Sequence, residues 1–203
     1  RGEGLLIDGG ASNNVIGGLL PEDANFFGGP AWDAGYVLGE SDPTNLLKSG
    51  KQAITTGSGV VVDGAETSGN QILGNYLGYR NVAAIEKRGD DYYIHPKRSR
   101  AGIAEHAIVL RNGTHGNIIG SEDLRGRNRI SYSLEDAIVL EGEGTRDNSL
   151  FNNYISGEKN GITIRDGATD NRIGVVGQPQ NLIRAKNYGI DIDGAASTGN
   201  VIM

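Results

Sequence analysis

The chain has 203 residues, a formal net charge of −6 and no cysteine. Its acidic balance argues against a nucleic-acid partner, which needs a basic face, and against adhesion to anionic lipid, while the lack of cysteine excludes disulfides and thiolate metal sites. Only 37% of residues are apolar and 6% aromatic, whereas 33 are glycine, so a thin core of stacked aliphatics is expected in place of a thick one of large side chains. No apolar run of about 18 residues offers a membrane-spanning helix.

Read from the N-terminus, one phrase recurs six times, beginning at Leu5, Val60, Ile108, Ile138, Ile162 and Ile190. Each copy opens apolar-x-apolar: Leu5/Ile7, Val60/Val62, Ile108/Leu110, Ile138/Leu140, Ile162/Ile164 and Ile190/Ile192. A glycine follows closely at Gly9, Gly64, Gly142, Gly167 and Gly194, where the Ile108 copy has Asn112-Gly113. An asparagine comes next, at Asn14, Asn70, Asn117, Asn148, Asn171 and Asn200, with an aliphatic two residues beyond each. A second Asn-x-aliphatic step follows at Asn75, Asn128, Asn153 and Asn181, with a weaker version at Asn25. Alternation over three to five residues is strand periodicity, and Gly, Asn, Asp and Ser between the runs are turn formers.

The lean copies at Ile108, Ile138, Ile162 and Ile190 start 24–30 residues apart. The first two copies carry insertions, about 28–57 and 79–105, each after the third strand and before the next first strand. Three short strands per 24–30 residues predict a right-handed, single-stranded parallel β-helix of about six coils, one domain over 1–203. One coil cannot bury its own apolar face, so the coils must stack with like positions in register. The asparagines are expected at bends, in the left-handed region, with their amides hydrogen-bonded along the column. No helix of ten residues or more is expected. The chain begins at Arg1 and stops at Met203 partway through a repeat, which reads as a piece of something longer. Its open ends would be covered by flanking sequence or by another chain.

The phrases Thr67-Ser68-Gly69-Asn70-Gln71-Ile72-Leu73-Gly74-Asn75-Tyr76-Leu77-Gly78 and Asn148-Ser149-Leu150-Phe151-Asn152-Asn153-Tyr154-Ile155-Ser156, together with Arg127-Asn128-Arg129-Ile130-Ser131, resemble the repeats of the pectate-lyase-like superfamily. The resemblance is to the G-N-x-I-x-G-N-Y-I-G type found in bacterial surface proteins. It covers nearly the whole chain outside the insertions and speaks to fold more than to function, since the superfamily spans lyases, hydrolases, epimerases, phage tailspikes and non-catalytic surface proteins.

In the enzymes of that superfamily the site lies on the face that carries the first strand. The outward position after each first strand gives the column Asp8, Asp63, Arg111, Glu141, Arg165 and Asp193. The resemblance implies Asp8 and Asp63 as the acids that would hold calcium, and Asp63 with Arg111 as a catalytic pair in which the arginine takes a sugar proton. The plainer reading of the same column is a set of cross-strand ion pairs. The motifs of alginate epimerases and polygalacturonases are absent, so no catalytic residue carries over by motif.

The second insertion, Glu86 to Arg100, gathers basic residues and rings in an acidic chain: Tyr92, Tyr93, His95, Lys97, Arg98 and Arg100. With Trp32 and Tyr36 of the first insertion, these residues suit an acidic polysaccharide, cations meeting carboxylates or sulfates and rings meeting sugar faces. Arg88-Gly89-Asp90 and the sequon Asn112-Gly113-Thr114 are short enough to arise by chance. The expectation is an extracellular β-helix segment of a bacterial surface or secreted protein, a stalk presenting loops to carbohydrate or to a surface partner, without cofactor unless calcium binds. Two alternatives stand beside it. One is a lyase, hydrolase or epimerase acting on an acidic polysaccharide, with Asp63, Arg111, Lys97, Arg98 and Tyr93 as its best residues. The other is a tailspike fragment packed threefold.

Overall fold

The computed structural model describes residues 3–20, 23–27, 53–55, 57–78, 84–88, 91–95, 101–103 and 105–203. Each copy of the repeat forms one rung. Rung 1 contributes β1 (Leu5–Ile7), β2 (Val15–Gly17) and β3 (Phe26–Phe27), and β4 (Ala53–Thr55) leads into rung 2. Rung 2 has β5 (Val60–Asp63), β6 (Gln71–Leu73) and β7 (Tyr76–Leu77). The second insertion follows with β8 (Ala84–Arg88), β9 (Asp91–His95) and β10 (Ala101–Ile103). Rung 3 has β11 (Ile108–Arg111), β12 (Ile118–Ile119) and β13 (Asn128–Ser131). Rung 4 has β14 (Ile138–Glu141), β15 (Ser149–Leu150) and β16 (Asn153–Ser156). Rung 5 has β17 (Ile162–Arg165), β18 (Arg172–Ile173) and β19 (Leu182–Arg184), and rung 6 has β20 (Ile190–Ile192) and β21 (Val201–Ile202).

Like strands stack into three all-parallel sheets: sheet A, β1-β5-β11-β14-β17-β20; sheet B, β2-β6-β12-β15-β18-β21; and sheet C, β3-β7-β13-β16-β19. The chain is therefore a parallel β-helix. The register matches the repeat residue for residue, with Leu5, Val60, Ile108, Ile138, Ile162 and Ile190 in one column. Inward aliphatics from all three sheets, among them Val60, Val62, Ile72, Leu77, Ile108, Leu110, Ile119, Ile130, Ile138, Ile155 and Ile162, form one buried cluster. Burying such a side chain fully is worth roughly 1.5–3 kcal/mol. That gain exists only once a neighbouring rung is in place.

Two asparagine ladders join the rungs. In the first, the backbone N–H and Nδ2 of Asn14 donate to Oδ1 of Asn70, and Asn70, Asn117, Asn148 and Asn171 repeat this toward Asn117, Asn148, Asn171 and Asn200 at 2.9–3.2 Å. The second runs Asn25, Asn75, Asn128, Asn153, Asn181. Spare amide hydrogens reach backbone carbonyls, as in Asn148 Nδ2 to Thr114 O. The ladders thus satisfy polar groups that the bends would otherwise bury unpaired.

Three expectations need correction. The left-handed residue at the first bend is the one before each ladder asparagine: Asn13, Gly69, Gly116, Asp147, Asp170 and Gly199 all have φ of 54–70°. The ladder asparagine itself is kept free to point its amide down the column. After the first strand, rungs 3 and 5 each place two successive residues in the left-handed region, Asn112–Gly113 and Asp166–Gly167. A fourth short parallel ladder exists, since β4 pairs with β10 and Ile103 bridges to Ser133. Ile103 is buried in the main core, so the returning ends of both insertions pack as part of the solenoid. Lastly, the second insertion contains a β-hairpin, β8 with β9, and is not loop throughout. Among the described residues the helical content is the 3₁₀ turn Leu124–Gly126 and the 3₁₀ residue Asp23.

Candidate functional site

The outer face of sheet A is where the sequence places the acid–base column. Along each first strand the core residues alternate with outward ones, because successive side chains point to opposite faces. The outward middle column reads Leu6, Val61, Val109, Val139, Thr163, Asp191. Val61, Val109 and Val139 are at most 3% exposed and make a buried cluster of their own, apart from the core. Thr163 is equally buried. The centre of this face is therefore closed over rungs 2 to 5.

Beside the valines runs the charged column. Arg111 Nε donates to Asp63 Oδ2 at 2.8 Å, and Asn112 Nδ2 donates to Asp63 Oδ1 at 2.8 Å. Both oxygens of Asp63 are thus engaged. Two rungs further on, Arg165 donates through Nε and Nη2 to Glu141 Oε2 at 2.9 and 2.6 Å, and it lies 3.6 Å from Asp166. Burial works against the Arg165 charge, but the bond and charge of Glu141, aided by Asp166, outweigh it and raise its pKa. The column resolves into two cross-strand ion pairs, Asp63–Arg111 and Glu141–Arg165. An arginine that abstracts a proton must lose its charge, and a carboxylate partner stabilises that charge. Asp8, at the near end of the column, is exposed. Among the described residues no group of three or more His, Asp or Glu side chains converges as a metal site would require.

On the other side of the valines lies a polar column that the sequence reading passes over. Asp136 is 5% exposed; its Oδ1 accepts from the Asn160 N–H at 3.1 Å and its Oδ2 from Thr163 Oγ1 at 2.9 Å. The Asn160 Oδ1 accepts from Tyr188 N–H, and His106 Nδ1 lies 3.3 Å from the Asp136 carbonyl. Earlier in the column, Ser58 N–H donates to Glu3 Oε2 at 2.6 Å. These groups bind turn to turn. The available signal was position: Ser58, His106, Asp136, Asn160 and Tyr188 each lie two residues before a first-strand aliphatic, where a side chain meets its counterpart on the next rung.

Of the glycan-binding candidates, Tyr92, Tyr93 and His95 fall on β9, opposite Lys87, Glu86 and Ala84 of β8. Trp32, Tyr36, Lys97, Arg98 and Arg100 lie outside the described residues, as do Gly89 and Asp90 of the Arg-Gly-Asp triplet. His115 forms isolated parallel bridges to Ser68 and Arg146, its Nδ1 3.4 Å from the Gly113 carbonyl. Comparison of the chain with protein-family models, curated proteins and solved structures finds no match in any of the three.

Proposed function

We propose that the chain is a structural β-helix segment of a bacterial surface or secreted protein, a member of the pectate-lyase-like class that has no catalytic role. In this reading it is a rigid stalk, and its two insertions leave the solenoid at one corner to meet carbohydrate or a partner surface. The observation that carries the reading is that the polar side chains repeated from rung to rung are engaged with one another. Asparagines bond asparagines, Arg111 holds Asp63, Arg165 holds Glu141, and valines close the face between the flanking columns. A lyase at this face would need an open groove and an arginine not committed to a carboxylate.

Incubation with alginate, pectate and glycosaminoglycans, with and without calcium, tests the proposal. The expected result is no ultraviolet-absorbing unsaturated uronate with any of them. A product that forms with the native chain and vanishes in Arg111→Ala would replace the stalk by a lyase. Glycan binding without turnover, lost when residues 86–100 are removed, would assign the presenting role to the second insertion.

A further inference from the structure

Among the described residues, three buried side-chain atoms have no hydrogen-bond partner: Ser133 Oγ and both carboxyl oxygens of Glu158. Glu158 has no exposed surface at all, and Ser133 is 3% exposed. The two occupy turns of neighbouring rungs, Ser133 between β13 and β14 and Glu158 between β16 and β17. Ser133 continues the fourth ladder from the buried Ile103. A carboxyl group thus takes a place beside a position that the preceding rung fills with isoleucine. Buried polar groups are nearly always paired, so an orphaned carboxyl needs an account.

The surroundings decide which ion it would take. On its own turn the nearest charge is Lys159, which is held by Glu135 at 3.1 Å. The preceding turn supplies Tyr132, Ser133, Glu135 and Asp136, and Asp136 is already occupied by Asn160 and Thr163. The following turn supplies Lys186. The N–H groups of Glu158, Ser133 and Tyr132 and the Lys186 ammonium all favour a negative charge on Glu158, though none closes a bond of ordinary geometry. Burial outweighs them and pushes the carboxyl up to about 7. The donors and the ammonium oppose a metal ion there, whereas a proton leaves the group neutral in a place whose burial disfavours charge.

We propose that Glu158 is an internal proton-binding site that couples pH to the seam between the turn before β17 and the turn before β20. Protonated, it rests in the interior as a neutral acid. Deprotonated, it draws water, and the seam opens. The backbone bonds at stake are Lys186 N–H to Glu158 O, Asn187 N–H to Lys159 O and Gly157 N–H to Arg184 O, at 2.8–2.9 Å.

Amide hydrogen exchange across pH reads the opening directly. After correction for the intrinsic exchange rate, the opening constants of Gly157, Lys186 and Asn187 should rise up to about tenfold per pH unit between about pH 5 and about pH 7. Ile118, in mid-stack, should stay flat. Glu158→Gln should abolish the rise. Lys186→Met, which removes an exposed cation that favours the ionised form, should extend the rise to higher pH without altering the buried group. A flat profile in the native chain, or the same slope in Glu158→Gln, overturns the proposal. If Glu158→Gln does not fold, an unchanged profile in Lys186→Met overturns it instead.

Discussion

At the scale of single residues, the asparagines matter more than the ion pairs. Asn148 accepts from Asn117 with one oxygen and donates to Asn171 and Thr114, and it has no exposed surface. Asn148→Ala would leave the Asn117 backbone N–H buried and unpaired, while the Asn117 side-chain amide keeps Thr114 Oγ1 and the His115 carbonyl, and the Thr114 carbonyl keeps the Arg146 N–H. A cost of about 1–3 kcal/mol follows for the orphaned group, read as a lowered urea midpoint. Arg111→Ala removes a pair that is partly solvated on both sides, for which about 0–1 kcal/mol is the usual range. A larger loss for Arg111→Ala than for Asn148→Ala would reverse this ranking. Glu158 gives a pH dependence of definite sign. Below its ordinary value of 4.5 it is protonated in folded and unfolded chains alike and adds no pH-dependent cost. As pH rises from 4.5 to about 7 the unfolded chain releases its proton while the folded chain keeps it, so stability falls, and the loss levels off above about 7. The full loss is on the order of 3 kcal/mol, at about 1.4 kcal/mol for each pH unit of that window. Urea unfolding at either side of the window should show a native-minus-Glu158→Gln difference that changes with pH, the native chain losing ground as pH rises. A difference independent of pH would refute it. The asparagines were legible in the sequence because they recur in every copy. Glu158 was not, because Gly157-Glu158-Lys159-Asn160 reads as a polar turn and its burial depends on what the preceding rung places beside it.

At the scale of elements, strand identity and register were legible because each strand repeats its neighbour's alternation. The fourth ladder was not. Ala53–Thr55 and Ala101–Ile103 are apolar enough to pair, but the lean rungs hold no copy of either, so repetition could not reveal them. Nor could it reveal that Val61, Val109 and Val139 are buried, since an outward valine reads the same whether covered or not. Close stacking of the strands also makes some glycines obligatory and others merely convenient. Gly120, at φ +126°, ends β12 where a Cβ would run into the Phe151 carbonyl oxygen on the next rung. Gly116, at φ +64°, has nothing within 4 Å of that position. Gly116→Ala should therefore cost only the left-handed backbone penalty of about 1–2 kcal/mol. Gly120→Ala must also push two rungs apart, adding about 1–3 kcal/mol or more. Equal losses for the two variants in thermal melts would show that rung spacing is slack enough to absorb a methyl group.

At the scale of the whole molecule, the stack behaves as a one-dimensional array in which each rung contacts only the rungs beside it. Rungs 3 to 5 have neighbours on both sides and fully buried columns through Ile108, Ile138 and Ile162. In the 203-residue chain, rung 6 has one neighbour, and Ile192, Val201 and Ile202 are 42–51% exposed. Its asparagine, Asn200, accepts from Asn171 and donates to the Ala168 carbonyl, but its ladder has no further step. Opening free energies measured by amide exchange should accordingly fall from the middle toward β20 and β21. Asn148→Ala then makes a sharper test than stability alone. It weakens the joins between rungs 3, 4 and 5, and in a nearest-neighbour array a weak join divides the stack into blocks that open separately. Exchange measured by mass should show two isotope envelopes for β17 and β18 in the variant, one open and one closed, while β5 and β6 remain protected. If protection in the native chain is uniform from β5 to β21, or if Asn148→Ala lowers it evenly along the chain, the solenoid opens as one unit and the nearest-neighbour account of its stability fails.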